Sequence, residues 1–344
     1  MADTKRIKLV VWDLDNTLWE GTLTEGGAQN LRPGAEALVR ELDRRGIVQS
    51  IASKNDYTPA MQRLEAFGLA DFFLCPQISW NAKSQGIRTI LSRLNIKPEA
   101  TAFLDDSPFE RDEVRFAIDR IRAYDPADPA AIAALPEFTV EHITQDAANR
   151  RNMYRADLER QSAEEAFTGD ADEFLATLHM QMDICPVTEQ ELQRVEELTI
   201  RTHQLNSTGY TYSYDELLAL SRDPRYIFRI CGLKDDYGES GRVGLILLED
   251  LGEALRIKLL IVSCRVMSRG IGTALLCYAT QLAARLGKPL QAEFIETEYN
   301  RIMYITYKLS GFEDVEEHGD EVLLEYDHAE PLPFAAYLNV TEKE

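Results

Sequence analysis

The feature that most constrains this chain is an alternation, over residues 7–124, of short apolar runs with longer segments of helical periodicity. The first run, IKLVVW, is apolar apart from Lys8, as expected of a strand covered on both faces of a parallel sheet. Residues 32–45 then set Leu38, Val39 and Leu42 at helical spacing, stop at Gly46 and give way to a second run, IVQSIAS. The order repeats, with a helix over 58–67, a short strand in FFLC, a helix over 83–94, a strand in TAFLDD and a helix over 110–117 before IRAY. Such alternation predicts a doubly wound α/β sheet whose functional loops lie at the carboxyl ends of its strands.

At 344 residues the chain is long for one core and suits two domains. The first is expected over 1–128, followed by a connector over 129–179 in which DPADPAAIAALP leads to a charged helix at 149–167. A second, mixed α/β domain is expected over 180–330. It has a strand in QMDICPVT, a helix in EQELQRVEELTIR, strands near YIFRICGL, RVGLILLED and LRIKLLIVSC, a helix after Gly272 and a last strand near 290–294, before a tail over 331–344.

The 58 acidic residues outnumber the 37 basic ones, for a net charge of −21, which argues against nucleic acid as a partner. The N-terminal sequence lacks the apolar core of a signal peptide, and no stretch is apolar for long enough to span a membrane, so a cytoplasmic location is expected. Five cysteines, scattered and never in CxxC spacing, indicate neither a disulfide framework nor a structural zinc site.

Chemistry concentrates where the runs end. In Asp13-Leu14-Asp15-Asn16-Thr17 two acids lie two residues apart just after a buried strand, where a turn can aim both into one cleft. One carboxylate can attack phosphorus while the other protonates the leaving oxygen and later activates water, with a divalent cation screening the charge. Ser53 closes IVQSIAS, Lys83 stands before a helix, and Asp105 with Asp106 closes TAFL. A hydroxyl and an ammonium can hold phosphoryl oxygens, and the further carboxylates complete an oxygen-rich shell suited to magnesium.

These four segments, in this order, resemble the motifs of the haloacid dehalogenase superfamily. The resemblance implies that Asp13 is nucleophile and metal ligand, that Asp15 is general acid and base and also near the metal, and that Ser53 and Lys83, with Thr17, bind phosphate. Asp106 is then the likelier direct ligand to Mg2+, Asp105 a further metal residue or one that supports the ligands from behind, and Asn16 and Asn55 substrate contacts. The gaps from Thr17 to Ser53 and from Ser53 to Lys83 are too short for a cap domain, leaving the Gly-rich segment TLWEGTLTEGG or the second domain as cover.

In the second half, SCRVMSRGIGTALL places small residues between a strand and a helix, where backbone N–H groups can receive an anion. It resembles the pyrophosphate loop of GNAT acyltransferases, and NRIMYITYKLSGF resembles their later helix. Met267 departs from the Arg or Gln usual there, which tells against acetyl-CoA. Cys264, beside Arg265 and before the helix start, is a candidate nucleophilic thiol. His203 is a candidate partner, and the polar run containing Gln204 and Asn206 is expected to be a binding loop for a sugar acid or a pantetheine arm.

Taken together, VWDLDNTLWEG, ASKND, FLDDSPFER, QLNSTG and SCRVMSRG resemble the FkbH-like family, a dehalogenase-type phosphatase fused to a GNAT-like domain. That resemblance implies a glyceryl transferase and phosphatase. It would take a three-carbon unit from 1,3-bisphosphoglycerate, hold it on Cys264 and pass it to the thiol of a phosphopantetheinylated acyl carrier protein for polyketide-type biosynthesis. Arg265, Arg269, Gly270 and Gly272 would contact phosphate or carrier. The alternatives are a plain magnesium-dependent phosphatase with a partner-recognition domain, an N-acetyltransferase using acetyl-CoA, and a noncatalytic scaffold for carrier proteins.

Overall fold

The computed structural model describes residues 6–26, 28–140 and 142–343, so Gly27 of the Gly-rich segment and Glu344 of the expected tail lie outside the described residues. The chain divides into two compact units, Met1–Glu159 and Arg160–Glu344.

In the first unit the strands are β1 (Leu9–Trp12), β2 (Val48–Ser53), β3 (Gln77–Ile78), β4 (Thr101–Leu104) and β5 (Arg122–Tyr124), all parallel and ordered β3-β2-β1-β4-β5. Between them run α1 (Ala35–Arg44), α2 (Tyr57–Ala66), α3 (Lys83–Leu94) and α4 (Pro108–Ala117). All four residues of β1 are buried, and their alternation divides the core in two. Val10 and Trp12 pack with Leu38, Val39 and Leu42 of α1 on one face. Leu9 and Val11 pack with Ile87, Ile90 and Val114 on the other. Gln49, a polar residue inside β2, is buried with both ends of its amide engaged: it accepts from Trp12 Nε1 at 3.0 Å and donates to the Val39 carbonyl at 2.8 Å.

The strand expected in FFLC is reduced to a bridge between Phe73 and Gln49, and β3 forms later over two residues. Cys75 adopts a positive φ of 37° and Pro76 follows, which breaks the extended run. The expected connector is not a separate body. Helices α5 (Pro129–Ala134) and α6 (Gln145–Ala148) lie in the first unit, and α7 (Arg150–Ala166) crosses the division. Its first turn is anchored by the ion pair of Arg151 with Asp43 at 2.9 Å.

The second unit holds α8 (Ala171–Thr177), β6 (Met180–Pro186), α9 (Leu192–Arg201), α10 (Tyr214–Arg222), β7 (Tyr226–Asp235), β8 (Gly238–Asp250) and β9 (Leu255–Val262). There follow α11 (Ile271–Leu286), β10 (Leu290–Ile295), α12 (Arg301–Leu309), β11 (Phe312–His318), β12 (Glu321–Tyr326) and β13 (Leu338–Glu342). Its eight-stranded mixed sheet has the order β11-β12-β10-β9-β8-β7-β6-β13, with β10 parallel to β9 and β13 parallel to β6. The mixed α/β architecture matches expectation, but the sheet extends beyond the strand at 290. The segment expected to be a tail supplies β13, although of its five residues only Leu338 is buried, so little in its pattern marks a strand. Among the described residues no helix is long and apolar enough to cross a membrane.

Candidate active site

The parallel sheet gathers its chemistry at the carboxyl ends of its strands. Asp13 follows β1, Ser53 closes β2, and Asp105 and Asp106 follow β4, while Lys83 opens α3 after β3. The Asp13 amide is tied to the Leu104 carbonyl at 2.9 Å, which locks the turn after β1 to the end of β4. The turn after β4 is held in turn by α4. Ser107 caps that helix by accepting from the Glu110 amide, Pro108 opens it, and the Ser107 amide donates to Asp105 Oδ1 at 2.8 Å.

Lys83 Nζ lies 2.9 Å from Asp13 and 2.7 Å from Asp105, with all three residues buried. An ammonium at a helix N-terminus works against the helix dipole, so its position depends on the carboxylates. Burial pushes Asp13 up to about 6, against the pull of Lys83 and with the push of Asp105, while a hydrogen bond from Ser53 draws it down. Asp105 is likewise raised by burial, against the attraction of Lys83. Burial works against the charge of Lys83, yet the two carboxylates more than compensate and raise its pKa.

Asp13, Asp105 and Asp106 each bring an oxygen within 4.8 Å of the others. Three carboxylates, two of them buried and that of Asp106 half-buried, against one ammonium leave a surplus of negative charge, and an all-oxygen donor set is the kind that hard divalent cations take. The triad therefore fits magnesium. Thr17, expected to bind phosphate, is here fastened to Asp106: its Oγ1 donates to Oδ1 at 3.2 Å and accepts from the Asp106 amide at 2.9 Å.

Asp15 stands outside the triad, although the sequence put it among the metal residues as well as in acid and base work. Its Oδ1 accepts from Trp19 Nε1 at 2.7 Å and from the Leu23 amide at 3.1 Å, and its Oδ2 accepts from Asn55 Nδ2 at 3.0 Å. These three donors hold the carboxylate beside the cluster. Trp19 was missed in the sequence, where its place four residues after Asp15 was the available signal. Asn16, at φ 53°, turns its side chain to the Gly21 amide at 3.1 Å and its carbonyl to Arg32, so it builds the Gly-rich segment. That segment folds back on itself through the Ala28 amide to the Glu20 carbonyl, 2.7 Å, and Leu14, Leu18, Trp19 and Ala28 join the core.

Among the described residues no cap domain intervenes between Thr17 and Lys83. Three aromatic residues, also unflagged in the sequence, follow the carboxyl ends of β2, β3 and β4: Tyr57 opens α2, Trp80 lies on the loop after β3 and Phe109 is in the first turn of α4, and they are 52%, 63% and 74% exposed. Trp80 is tied to Asp56 at 3.0 Å and Lys54 to Glu110 at 2.8 Å, so these loops are neighbours.

The residues singled out in the second unit behave differently. Strands β9 and β10 pair only over Leu255–Ile257 and Leu290–Ala292, and beyond that the chain itself lies between them. The Leu205 carbonyl accepts from Val262 at 2.9 Å, the Ser207 amide donates to Leu260 at 3.0 Å, and the Ser207 carbonyl accepts from Ile295 at 3.0 Å. Asn206, fully buried, spends its side chain within its own loop, accepting from the amides of Thr208 and Gly209 at 3.1 and 3.0 Å and donating to Tyr210 at 3.3 Å. The expected ligand-binding loop is thus a wedge in the sheet, and Asn206 is committed to building it. Gln204 is half-buried at its start, and the His203 ring packs near Tyr299.

Arg269 is buried against Ser240 at 3.1 Å and Asp235 at 3.7 Å, and Arg265 donates to the Ser240 carbonyl at 2.8 Å. Both bind the domain's own groups. Gly270 is required at φ 71°, where a Cβ would also meet the Tyr337 hydroxyl at 2.5 Å, whereas a Cβ on Gly272 would touch Thr306 at an ordinary 3.5 Å. None of the five cysteines forms a disulfide. Burial raises Cys75 and Cys277 to about 11 and Cys231 further, and burial together with Asp183 raises Cys185, so these four are poor nucleophiles. Cys264 is half-buried, at the end of β9 in the turn that leads to α11.

Residues 23–110 match the profile of haloacid dehalogenase-like hydrolases. Among solved structures, the chain is similar to the N-terminal part of the protein BF1531 from Bacteroides fragilis, described as containing a phosphatase domain complexed with Mg. Identity there is 28%, over 45% of this chain and 40% of that one, with a TM-score of 0.32. The chain therefore spans 40% of that protein's length. It is also similar to the PaiA N-acetyltransferase of Thermoplasma acidophilum in complex with coenzyme A, with 16% identity over 43% of this chain and 99% of that one and a TM-score of 0.35. The ribosomal-protein-S18-alanine N-acetyltransferase of Escherichia coli gives 15% identity over 44% and 99%, with a TM-score of 0.34. Among curated proteins none matches the chain.

Proposed function

We propose that the chain is a magnesium-dependent phosphatase and glyceryl transferase that takes a glyceryl unit from 1,3-bisphosphoglycerate, removes phosphate and loads the unit onto an acyl carrier protein. The observation that carries the phosphatase half is the buried cluster of Asp13, Lys83, Asp105 and Asp106, with Asp15 held beside it by three donors. Asp13 attacks phosphorus and forms a phosphoaspartyl enzyme. Asp15 gives its proton to the leaving oxygen and afterwards takes one from the water that hydrolyses the phosphoaspartate. Lys83 and Ser53 hold the equatorial phosphoryl oxygens. Asp13, Asp105 and Asp106 would hold Mg2+, which when bound would supply positive charge against the charge that develops there.

The transfer half rests on the likeness of the motifs to the FkbH-like family, and on Cys264 being the cysteine left as a candidate once the other four are set aside. Its thiolate attacks the acyl carbon of the mixed anhydride. The S–C bond forms as the C–O bond to phosphate breaks, and the carrier thiol then displaces Cys264. The exposed rim and missing cap suit a substrate carried on a long tether.

The test is to incubate the protein with magnesium, 1,3-bisphosphoglycerate and phosphopantetheinylated carrier, and to weigh both proteins by mass spectrometry. A glyceryl adduct on the wild type and none on a folded Cys264→Ala protein is expected. An adduct that persists in Cys264→Ala overturns the thiol assignment. Hydrolysis of phosphate esters with no adduct on either protein leaves a plain phosphatase.

A further inference from the structure

The two most exposed aromatic side chains among the described residues lie on one helix. Phe109 and Phe116 of α4 are 74% and 95% exposed. They stand seven residues apart, so both project from the same side of the helix, about 10 Å from each other. The other side of α4 buries Val114 in the core, and neither phenylalanine joins that core. Arg88 of α3 donates to the Ala117 carbonyl, which sets its guanidinium beside Phe116.

The solvent side of α3, α4 and the turn that follows also reverses the charge of the molecule. In the whole chain acids outnumber bases, 58 to 37. Here the exposed bases are Arg88, Arg93, Arg115 and Arg120, and the exposed acids are Asp112 and Asp119. Both acids are paired within the patch, Asp112 with Arg115 at 3.0 Å and Asp119 with Arg120 at 3.6 Å, so the patch is left positive. Bases near the last turn of a helix complement its dipole, but the dipole gives no reason to leave Phe116 bare.

Two rings spaced by two helical turns and set among arginines suit the apolar stripe of an acidic helix on another protein. A small anion would use the arginines and leave both rings uncovered. A nucleic acid, charged along its whole length, would run off the patch onto acidic surface. A second copy meeting this side face to face would set arginines against arginines. The patch also leads to the proposed chemistry, because α4 starts from the turn that holds Asp105: the Ser107 amide donates to Asp105 Oδ1 at 2.8 Å, and Phe109 follows two residues later.

We propose that the Phe109 and Phe116 side of α4, with Arg88, is the docking surface for an acidic helical protein that brings a phosphorylated group to the Asp13 cluster. The surface stands on exposure and charge, and only the delivery of a phosphorylated group rests on the phosphatase reading.

The probe is a fluorescently labelled, acidic phosphopantetheinylated carrier protein, titrated with the full chain and magnesium and followed by anisotropy. Binding should weaken about fivefold or more between about 50 and about 200 mM salt. Phe116→Ser and Arg88→Gln should each weaken it about tenfold, whereas Leu309→Ser, which alters a side chain 85% exposed on α12, should leave it within about twofold. Phe116 has no core contact to lose, so hydrolysis of p-nitrophenyl phosphate by its serine variant should stay within about twofold of wild type. No binding by the wild type, or binding that survives both Phe109→Ser and Phe116→Ser, overturns the proposal. A self-association lost in Phe116→Ser, or tighter binding of a labelled oligonucleotide than of the carrier, gives the surface to another occupant and overturns it likewise. Carrier binding that depends on Phe116, in a protein that hydrolyses no phosphate ester, supports the docking surface and overturns the phosphatase reading instead.

Discussion

The two units bury polar side chains in opposite ways. Around Asp13 the carboxylates outnumber the ammonium, Asp13 is driven up to about 6 and Asn55 keeps an open acceptor. Around the wedge of the second unit the side-chain amides are engaged at both ends, and the buried group without a hydrogen-bond partner among the described residues is the neutral hydroxyl of Tyr307. Asn300 is fully buried, donates to the carbonyls of Asn206 and Ile295 at 3.0 and 2.8 Å, and accepts from the Thr297 amide at 2.9 Å. Both clusters are polar and buried, and in a sequence both read as sites. An incomplete set of partners marks groups awaiting a ligand, and a complete set marks groups that hold the fold.

If that distinction is right, the largest effect should come from the incomplete cluster and fall on chemistry alone. Asp13→Asn should lower phosphate release by about ten-thousandfold or more, since it removes the attacking atom. It should not lower the melting temperature of the metal-free protein, because the group removed is a carboxylate that burial disfavours. A phosphate-release assay and a melting curve on one preparation decide it. Residual activity within tenfold of wild type would take the nucleophile's role away from Asp13.

The complementary substitution is Asn300→Ala, which strips partners from two carbonyls and one amide. It should destabilise the second unit by about 2–4 kcal/mol in denaturant unfolding. Phosphate release by the first unit should stay within about twofold of wild type when measured well below the transition. A loss of phosphate release as large as that of Asp13→Asn would break the comparison.

How much of this was legible beforehand follows from the same distinction. Asp13, Asp15, Ser53, Asp105 and Asp106 could be read because they stand at or just past the end of an apolar run, and Lys83 because it stands before a helix, while a parallel sheet brings strand ends together whatever lies between them. Asn206 and Arg269 were read as ligand groups, and the structure engages both side chains within the fold. Their partners lie far off in sequence, in Asn300 for the Asn206 carbonyl and in Ser240 and Asp235 for Arg269, and no local pattern announces such bonds. Trp19 and Asn55 sit within the motifs, yet their contacts with Asp15 depend on how the turn after β1 folds back. β13 escaped notice because a strand with one buried residue has almost no hydrophobic pattern to display.

The smallest effect expected is also the most specific to a charge-deficient cluster. Asp13 has a folded pKa of about 6 against an ordinary 3.8, so its protonated form favours the fold below about pH 4, and that contribution is lost as pH rises through 6. Above 6 the metal-free unit carries an ionised, under-compensated carboxylate, which a bound divalent cation would relieve. Magnesium should therefore raise the melting temperature by about 2–4 °C at pH 7.5, and the increment should shrink through pH 6 as protons compete for Asp13. Calorimetric scans with magnesium and with chelator at pH 7.5, 6 and 5 measure it. Asp13→Asn should flatten the profile, and an increment that grows toward pH 5 would mean that magnesium acts elsewhere on this acidic chain, away from the carboxylates that face Lys83.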